Sequence, residues 1–151
     1  MQTRFVDGVT IRTLRNGDTD TVAVWFDRLG CESRRRRFAG VKPRLSDAEL
    51  ELLARVDGER HVLVAWLPGE TQPAGIAHLA REGASGEFAV AVADEHQGRG
   101  IGRVLADEMA AIARAAGIRE LRATVAGDNP PALKLLRRAR FEPSGEFVVA
   151  L

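Results

Sequence analysis

The sequence predicts a mixed α/β (α+β) fold, in which a mostly antiparallel sheet contains one parallel pair of strands. Three observations lead there. Residues 61–93 hold three apolar or alternating runs separated by turn-forming residues, the pattern of an antiparallel meander. Residues 87–126 then read strand, helix, strand, which requires a parallel pair joined by a right-handed crossover. The chain has 151 residues, and residues 1–151 are read as one domain. A chain of this size buries roughly 68–70% of its unfolded surface, enough for a core of its own.

The elements follow in order. Residues 9–14 (VTIRTL) alternate apolar and polar side chains and read as a half-buried strand. Asn16-Gly17-Asp18 turns the chain, and Asp18 suits a helix N-cap. Val22, Trp25, Phe26 and Leu29 then form one apolar stripe at helical spacing, with Gly30 read as its end. Residues 32–38 predict a second short helix. Ser46 and Glu49 have capping-box spacing and start a third, with Leu50, Leu53 and Ala54 facing the core. Residues 61–67, 74–81 and 87–93 are strands, the last two joined as a hairpin through residues 83–86. Leu105, Met109, Ile112 and Ala116 mark a helix with one buried face, which Gly117 closes. Residues 121–126 are a strand. Asn129 followed by Pro130 predicts another helix start, with Ala132, Leu135, Leu136 and Ala139 inward. Residues 141–151 read as a hairpin around Ser144-Gly145.

Composition narrows the function. The net charge of +1 gives no support to general nucleic-acid binding. No apolar stretch approaches the ~20 residues of a membrane span, and the N-terminus lacks the apolar core of a signal peptide. The single Cys31 has no partner for an internal disulfide, so a reducing, cytoplasmic setting is expected. Arg34, Arg35, Arg36 and Arg37 read as the solvated face of a short helix, or else as a wall meeting an acidic partner or phosphates.

The informative stretch is residues 94–103, DEHQGRGIGR. It lies between a strand and a helix start, where unpaired backbone N–H groups and the helix dipole favour an anion. Glycines let a phosphate approach the backbone. The Walker pattern is absent, because Gly98 precedes Gly102 by four residues rather than five and Arg103 stands where Lys is required. The dinucleotide fingerprint fails too: Arg103 occupies its third glycine, and Thr124 and Val125 stand where an acidic residue is expected. The pyrophosphate of coenzyme A is the third option.

Gln97, Gly100 and Gly102, following Val92 and Ala93, resemble the acyl-CoA-binding signature of the GNAT family of N-acetyltransferases. Asn129, Ala132, Leu135 and Phe141 resemble that family's second signature. The likeness runs from about Val9 to the end. A narrower one, in residues 31–40 (CESRRRRFAG) and residues 87–94 (EFAVAVAD), is to bacterial protein-lysine acetyltransferases. The resemblance implies a six- or seven-stranded, mostly antiparallel sheet, with a parallel pair splayed at a bulge and helices on both faces. It implies acetyl-CoA as cosubstrate without a metal, and a primary amine as acceptor, either a protein lysine or a small molecule. It also carries the expectation of a homodimer, with neither nucleic acid nor membrane as partner. By the same resemblance the backbone of Val90 and Val92 pairs with the pantetheine amides. Gly98, Arg99, Gly100, Ile101, Gly102 and Arg103 hold the pyrophosphate, with Gln97 beside them, and Asn129 meets the coenzyme arm. Val92 N–H serves the oxyanion.

The chemistry sets further demands. A lysine amine, with reference pKa ~10.4, must lose a proton before it attacks. Glu87 is the base candidate, with burial in its strand invoked to tune it. His78 is its rival, although a lone histidine in an apolar strand is more often structural. His96 takes an aromatic position at the loop mouth, and His61 begins a strand. The family's general-acid tyrosine is replaced by Leu136, and the chain contains no Tyr; Arg140 replaces the glycine before Phe141. The thiolate, near pKa ~8.5, then leaves unassisted or with water. A low-turnover acyl-CoA-binding module is the second reading.

Overall fold

A computed structural model describes residues 3–124, 140–141 and 146–151. The described elements are β1 (Thr3–Val6), β2 (Val9–Thr13), α1 (Thr19–Asp27), α2 (Cys31–Phe38), α3 (Asp47–Leu53), β3 (Arg60–Trp66), β4 (Gly75–Glu82) and β5 (Ser85–Val92). A 3-10 turn (Asp94–His96), α4 (Ile101–Ala115), β6 (Glu120–Thr124), β7 (Arg140–Phe141) and β8 (Glu146–Ala150) follow. The expected helix from Asn129 to Ala139, its Pro130 start and the Ser144-Gly145 turn lie outside the described residues.

The strands form one sheet in the order β1-β2-β3-β4-β5-β6-β8-β7. Every neighbouring pair is antiparallel except β5 and β6. The mixed, mostly antiparallel class is therefore as predicted. The sheet has eight described strands rather than six or seven, because residues 3–6 add a hairpin arm. Asp7 and Gly8 both take positive φ, 49° and 80°, as a two-residue type I′ hairpin turn demands.

Strand alternation divides the core into two layers. Val62 and Val64 of β3 and Ile76 of β4 face α1, α2 and α3, joining Val22, Trp25, Phe26, Leu29 and Ala54. Leu63 and Ala65, with Ala77, Leu79 and Phe88, face the other way against Ile101, Val104, Leu105, Met109 and Ala113 of α4. Helices thus cover both faces. Trp25, Leu105 and Met109 are fully enclosed; burying an apolar side chain of this size contributes roughly 1.5–3 kcal/mol.

The caps explain the helix starts. Asp18 Oδ1 accepts from Thr21 N at 3.1 Å. Ser46 and Glu49 complete the reciprocal capping box, each bond 3.1 Å. Gly117 follows α4 in the left-handed region, φ 81°, and closes that helix as expected. Gly30 does not close α1, which ends at Asp27 with Arg28 as its C-cap. It is instead the extended N-cap of α2, and a Cβ there would overlap Asp94 Oδ2. The β4–β5 hairpin is tighter than predicted: Glu82 pairs with Ser85, leaving a two-residue turn.

Candidate functional site

The site is built at β5. Its ladder with β4 is unbroken, one residue to one, from Glu82↔Ser85 to Gly75↔Val92. Its parallel ladder with β6 covers only Ser85↔Glu120, Gly86↔Leu121 and Glu87↔Arg122. Among the described residues, the pair therefore has no rung beyond Glu87↔Arg122. The β4–β5 ladder has no bulge, which corrects the expectation of one there.

The register fixes which backbone groups face the opening. Ala93 N donates to Ala74 O at 2.7 Å. Bonded pairs alternate along an antiparallel ladder, so Ile76/Ala91 and His78/Ala89 are bonded pairs too. The N–H and C=O groups of Phe88, Val90 and Val92 then point away from β4, where no β6 partner is present among the described residues. The side chains of Val90 and Val92 pack on the α4 layer of the core. Only their backbone is offered to the opening.

The glycine loop closes one end. Gly98 and Gly100 have φ of 80° and 83°, a region that residues with a Cβ enter only at a cost. Gly100 is the N-cap of α4 and supplies no side-chain bond. The N–H groups of Ile101, Gly102 and Arg103 form the first turn of α4, where no intrahelical acceptor exists. Ile101 is buried in the core, while Arg99 and Arg103 are exposed. A Cβ built at Gly98 or Gly100 would meet nothing within 4 Å, so open space lies over the loop. These features fit a diphosphate. Gln97 is different: its Nε2 donates to Val92 O at 3.0 Å and to Ser33 Oγ at 2.9 Å.

At the other end of β5, Glu87 is exposed, so the burial invoked for it is not there. His78 is a locked residue. Its Nε2 lies 3.0 Å from Leu53 O and must donate; its Nδ1 lies 3.1 Å from Arg37 Nη2 and must accept. Burial first, then the Arg37 charge, push its pKa down to about 3. A ring with both nitrogens committed cannot take a proton from an amine, so the structural reading of His78 holds. Burial also lowers Arg37, to about 10, against the opposing pull of Glu87. Sequence reasoning missed this arginine's place, because its partner His78 lies 41 residues away and is set by the packing of α2 on the sheet.

The arginine run is not a solvated face. All four residues are half-buried. Arg34 donates to Phe26 O and Pro43 O and stacks over the Phe26 ring at 4.1 Å. Arg35 and Arg36 pair with Glu32, and Arg37 holds His78.

His96 is buried beside the loop, its Nε2 2.8 Å from Arg28 Nη2 and 3.1 Å from Glu70. A groove of about 590 Å3 opens nearby, lined by Arg12, Asp20, Trp66 and Glu70 among others, and by none of the predicted site residues. Asn129 lies outside the described residues. Among the described residues there is no cluster of three or more metal-ligating side chains and no helix long and apolar enough to cross a membrane.

Comparison with known proteins places the chain in a family. Residues 26–141 match the acetyltransferase (GNAT) family. An acetyltransferase from Pseudomonas aeruginosa is 32% identical over 118 residues, which make up 75% of this chain and 63% of that protein. The chain thus spans less than two thirds of that relative's length. The GNAT domain of PAT from S. lividans is 25% identical with a TM-score of 0.88, covering 99% of this chain and 96% of that one. A cAMP-binding acyltransferase from Mycobacterium smegmatis is 26% identical with a TM-score of 0.66, covering 99% of this chain and 46% of that one.

Proposed function

The chain belongs to the acetyltransferase (GNAT) family, and from that premise we propose that it moves an acetyl group from acetyl-CoA to a primary amine by direct attack. One conjunction supports this reading: among the described residues the β5–β6 ladder ends at Glu87, while α4 starts, without a side-chain cap, beyond the far end of the same strand. Acetyl-CoA supplies an activated thioester. The backbone N–H groups of residues 98–102 bind its pyrophosphate, and exposed Arg99 and Arg103 add positive charge. The Val90 and Val92 backbone pairs with the pantetheine as an added strand. Asn129 is assigned to the coenzyme arm on family likeness.

Glu87 takes the amine proton. It is accessible, and the rival His78 has no free nitrogen. The oxyanion donor follows from distance. Strand residues rise about 3.3 Å each, so Val92 stands about 16 Å beyond Glu87 and Val90 about 10 Å. A glutamate side chain and one or two waters span the shorter gap. We therefore assign the oxyanion to Val90 N–H, in place of the Val92 N–H expected from the resemblance, and leave Val92 to the pantetheine. Without a tyrosine in the chain, the departing thiolate is protonated by water. The acceptor is a protein lysine or a small-molecule amine.

The test has two parts. Acetyl-CoA, and neither NAD nor ATP, should raise the melting temperature. Thiol release against a panel of amines should then fall roughly 10²–10⁴-fold in Glu87→Gln, with acetyl-CoA affinity within about twofold of the parent. Stabilisation by NAD or ATP alone would overturn the coenzyme assignment. Unchanged turnover would remove Glu87 as the base. Tight acetyl-CoA binding without thiol release to any amine would make the chain an acyl-CoA-binding module instead.

A further inference from the structure

We propose that Ser33 and Gln97 are positioning residues: with Asp94 they form a latch that holds the glycine loop against the first turn of α2 and so sets the acetyl-CoA site. The proposal rests on reading residues 98–102 as the pyrophosphate cradle.

The direction of each hydrogen bond is fixed by chemistry. Ser33 Oγ donates to Asp94 Oδ1 at 2.6 Å, because a carboxylate only accepts. Gln97 Nε2 donates to Ser33 Oγ at 2.9 Å and to Val92 O at 3.0 Å. An amide nitrogen has two hydrogens, so both are committed inside the protein. Gln97 is exposed and lies one residue before Gly98, yet its donors do not face the loop's open side. Anion binding is left to the backbone and to Arg99 and Arg103.

Ser33 is the centre of the chain. It is 9% exposed, the one described residue of α2 classed as buried. Other contacts from the same elbow reach the same stretch. Asp94 N donates to Arg28 O at 3.3 Å, and Arg28 Nη2 meets His96 Nε2 at 2.8 Å. Asp94 also fills the space over Gly30. The 3-10 turn Asp94–His96 has no side-chain cap of its own. Residues 28–33 therefore supply what holds it.

The consequence falls on β5. Val92 O is one of the groups turned toward the opening, and Gln97 already occupies it. The latch thus fixes the Val92–Ala93 peptide and leaves Val92 N–H and Val90 C=O for the pantetheine, with Val90 N–H kept for the oxyanion. It also joins the loop to α2, the helix that carries Arg37 toward His78.

Gln97→Glu keeps the side-chain shape, removes both donors and sets a carboxylate against Val92 O and beside Asp94. Its exposed position keeps the fold out of question. Amide hydrogen exchange over residues 93–98 should quicken without any ligand present. Acetyl-CoA affinity, read by isothermal titration, should fall by roughly tenfold or more, the scale of one or two lost neutral hydrogen bonds. Ser33→Ala should weaken binding by about three- to tenfold with its melting temperature near the parent's, and Ser33→Thr, which keeps the hydroxyl, should restore it. Parent-like exchange and affinity in Gln97→Glu would overturn the latch alone. A parent protein with no affinity for acetyl-CoA would overturn the coenzyme reading, and the latch's role with it, whatever the exchange rates show.

Discussion

His78 and His96 are each met by an arginine, and the two pairs are built to opposite effect. His78 sits mid-strand, with Nε2 donating to Leu53 O and Nδ1 accepting from Arg37. One tautomer satisfies both contacts. His96 stands beside the glycine loop, and no protonation state satisfies it. A bare Nε2 can accept from Arg28 but turns a lone pair toward Glu70; a protonated Nε2 can donate to Glu70 but opposes the Arg28 donors. Its Nδ1 is buried with no partner among the described residues. A histidine that cements a sheet and a histidine that merely fills a loop thus differ in how many of their neighbours one charge state can serve.

The largest expected effect comes from breaking the satisfied pair. His78→Leu fills the space but strands the Arg37 guanidinium and the Leu53 carbonyl. The cost should be about 3 kcal/mol in urea unfolding, because unpaired buried polar groups cost roughly 1–3 kcal/mol each. Adding Arg37→Met should recover about half of that loss, since it removes the stranded guanidinium and leaves the Leu53 carbonyl unpaired. A single variant that unfolds like the parent would show that the two bonds carry no weight.

A smaller effect follows from the same residue's titration. The His78 pKa is about 3 in the fold and about 6.5 when unfolded. Between those values the unfolded chain binds a proton that the folded chain refuses. Stability is therefore full above pH ~6.5 and is lost as pH falls toward 3. One proton corresponds to about 1.4 kcal/mol per pH unit. Unfolding free energies at pH 5.0, 5.5 and 6.0 should show that slope in the parent, with His78→Leu flatter by the same amount. Equal slopes would mean that His78 takes up its proton in the fold.

The contrast between the pairs also shows what a sequence exposes. Asp18, Ser46 with Glu49, and Gly117 were legible because a cap acts on N–H or C=O groups within a few residues. The strand–loop–helix around Gly98 and Gly100 was legible for the same reason. β1 was not: Thr3, Arg4 and Phe5 are exposed, so no burial pattern marks it, and Asp7-Gly8 was its only sign. The arginine run failed because its partners, Phe26 O, Pro43 O and His78, are set by the packing of α2 and not by its composition. Ser33 and Gln97 lie 64 residues apart, and no local pattern links them. The chemistry of the site was readable where backbone carries it, and hidden where side chains meet across the sheet.

The smallest effect should come from the unsatisfied pair. His96→Phe keeps a ring of similar size in the buried position and removes both contested contacts. Arg28 retains Gln72 O and Pro73 O as acceptors through Nη1, at 3.2 and 2.9 Å, and keeps Glu70 at 3.6 Å. Neither charged neighbour is stranded, so the change should stay within about 1 kcal/mol. Acetyl-CoA affinity should also hold within about twofold, because the ring is buried against Arg28 and Glu70 and offers no group to a ligand. Urea unfolding and isothermal titration of the one variant check both statements. A loss as large as that of His78→Leu would mean that His96 is as firmly bonded as His78, and the distinction between the two histidines would collapse.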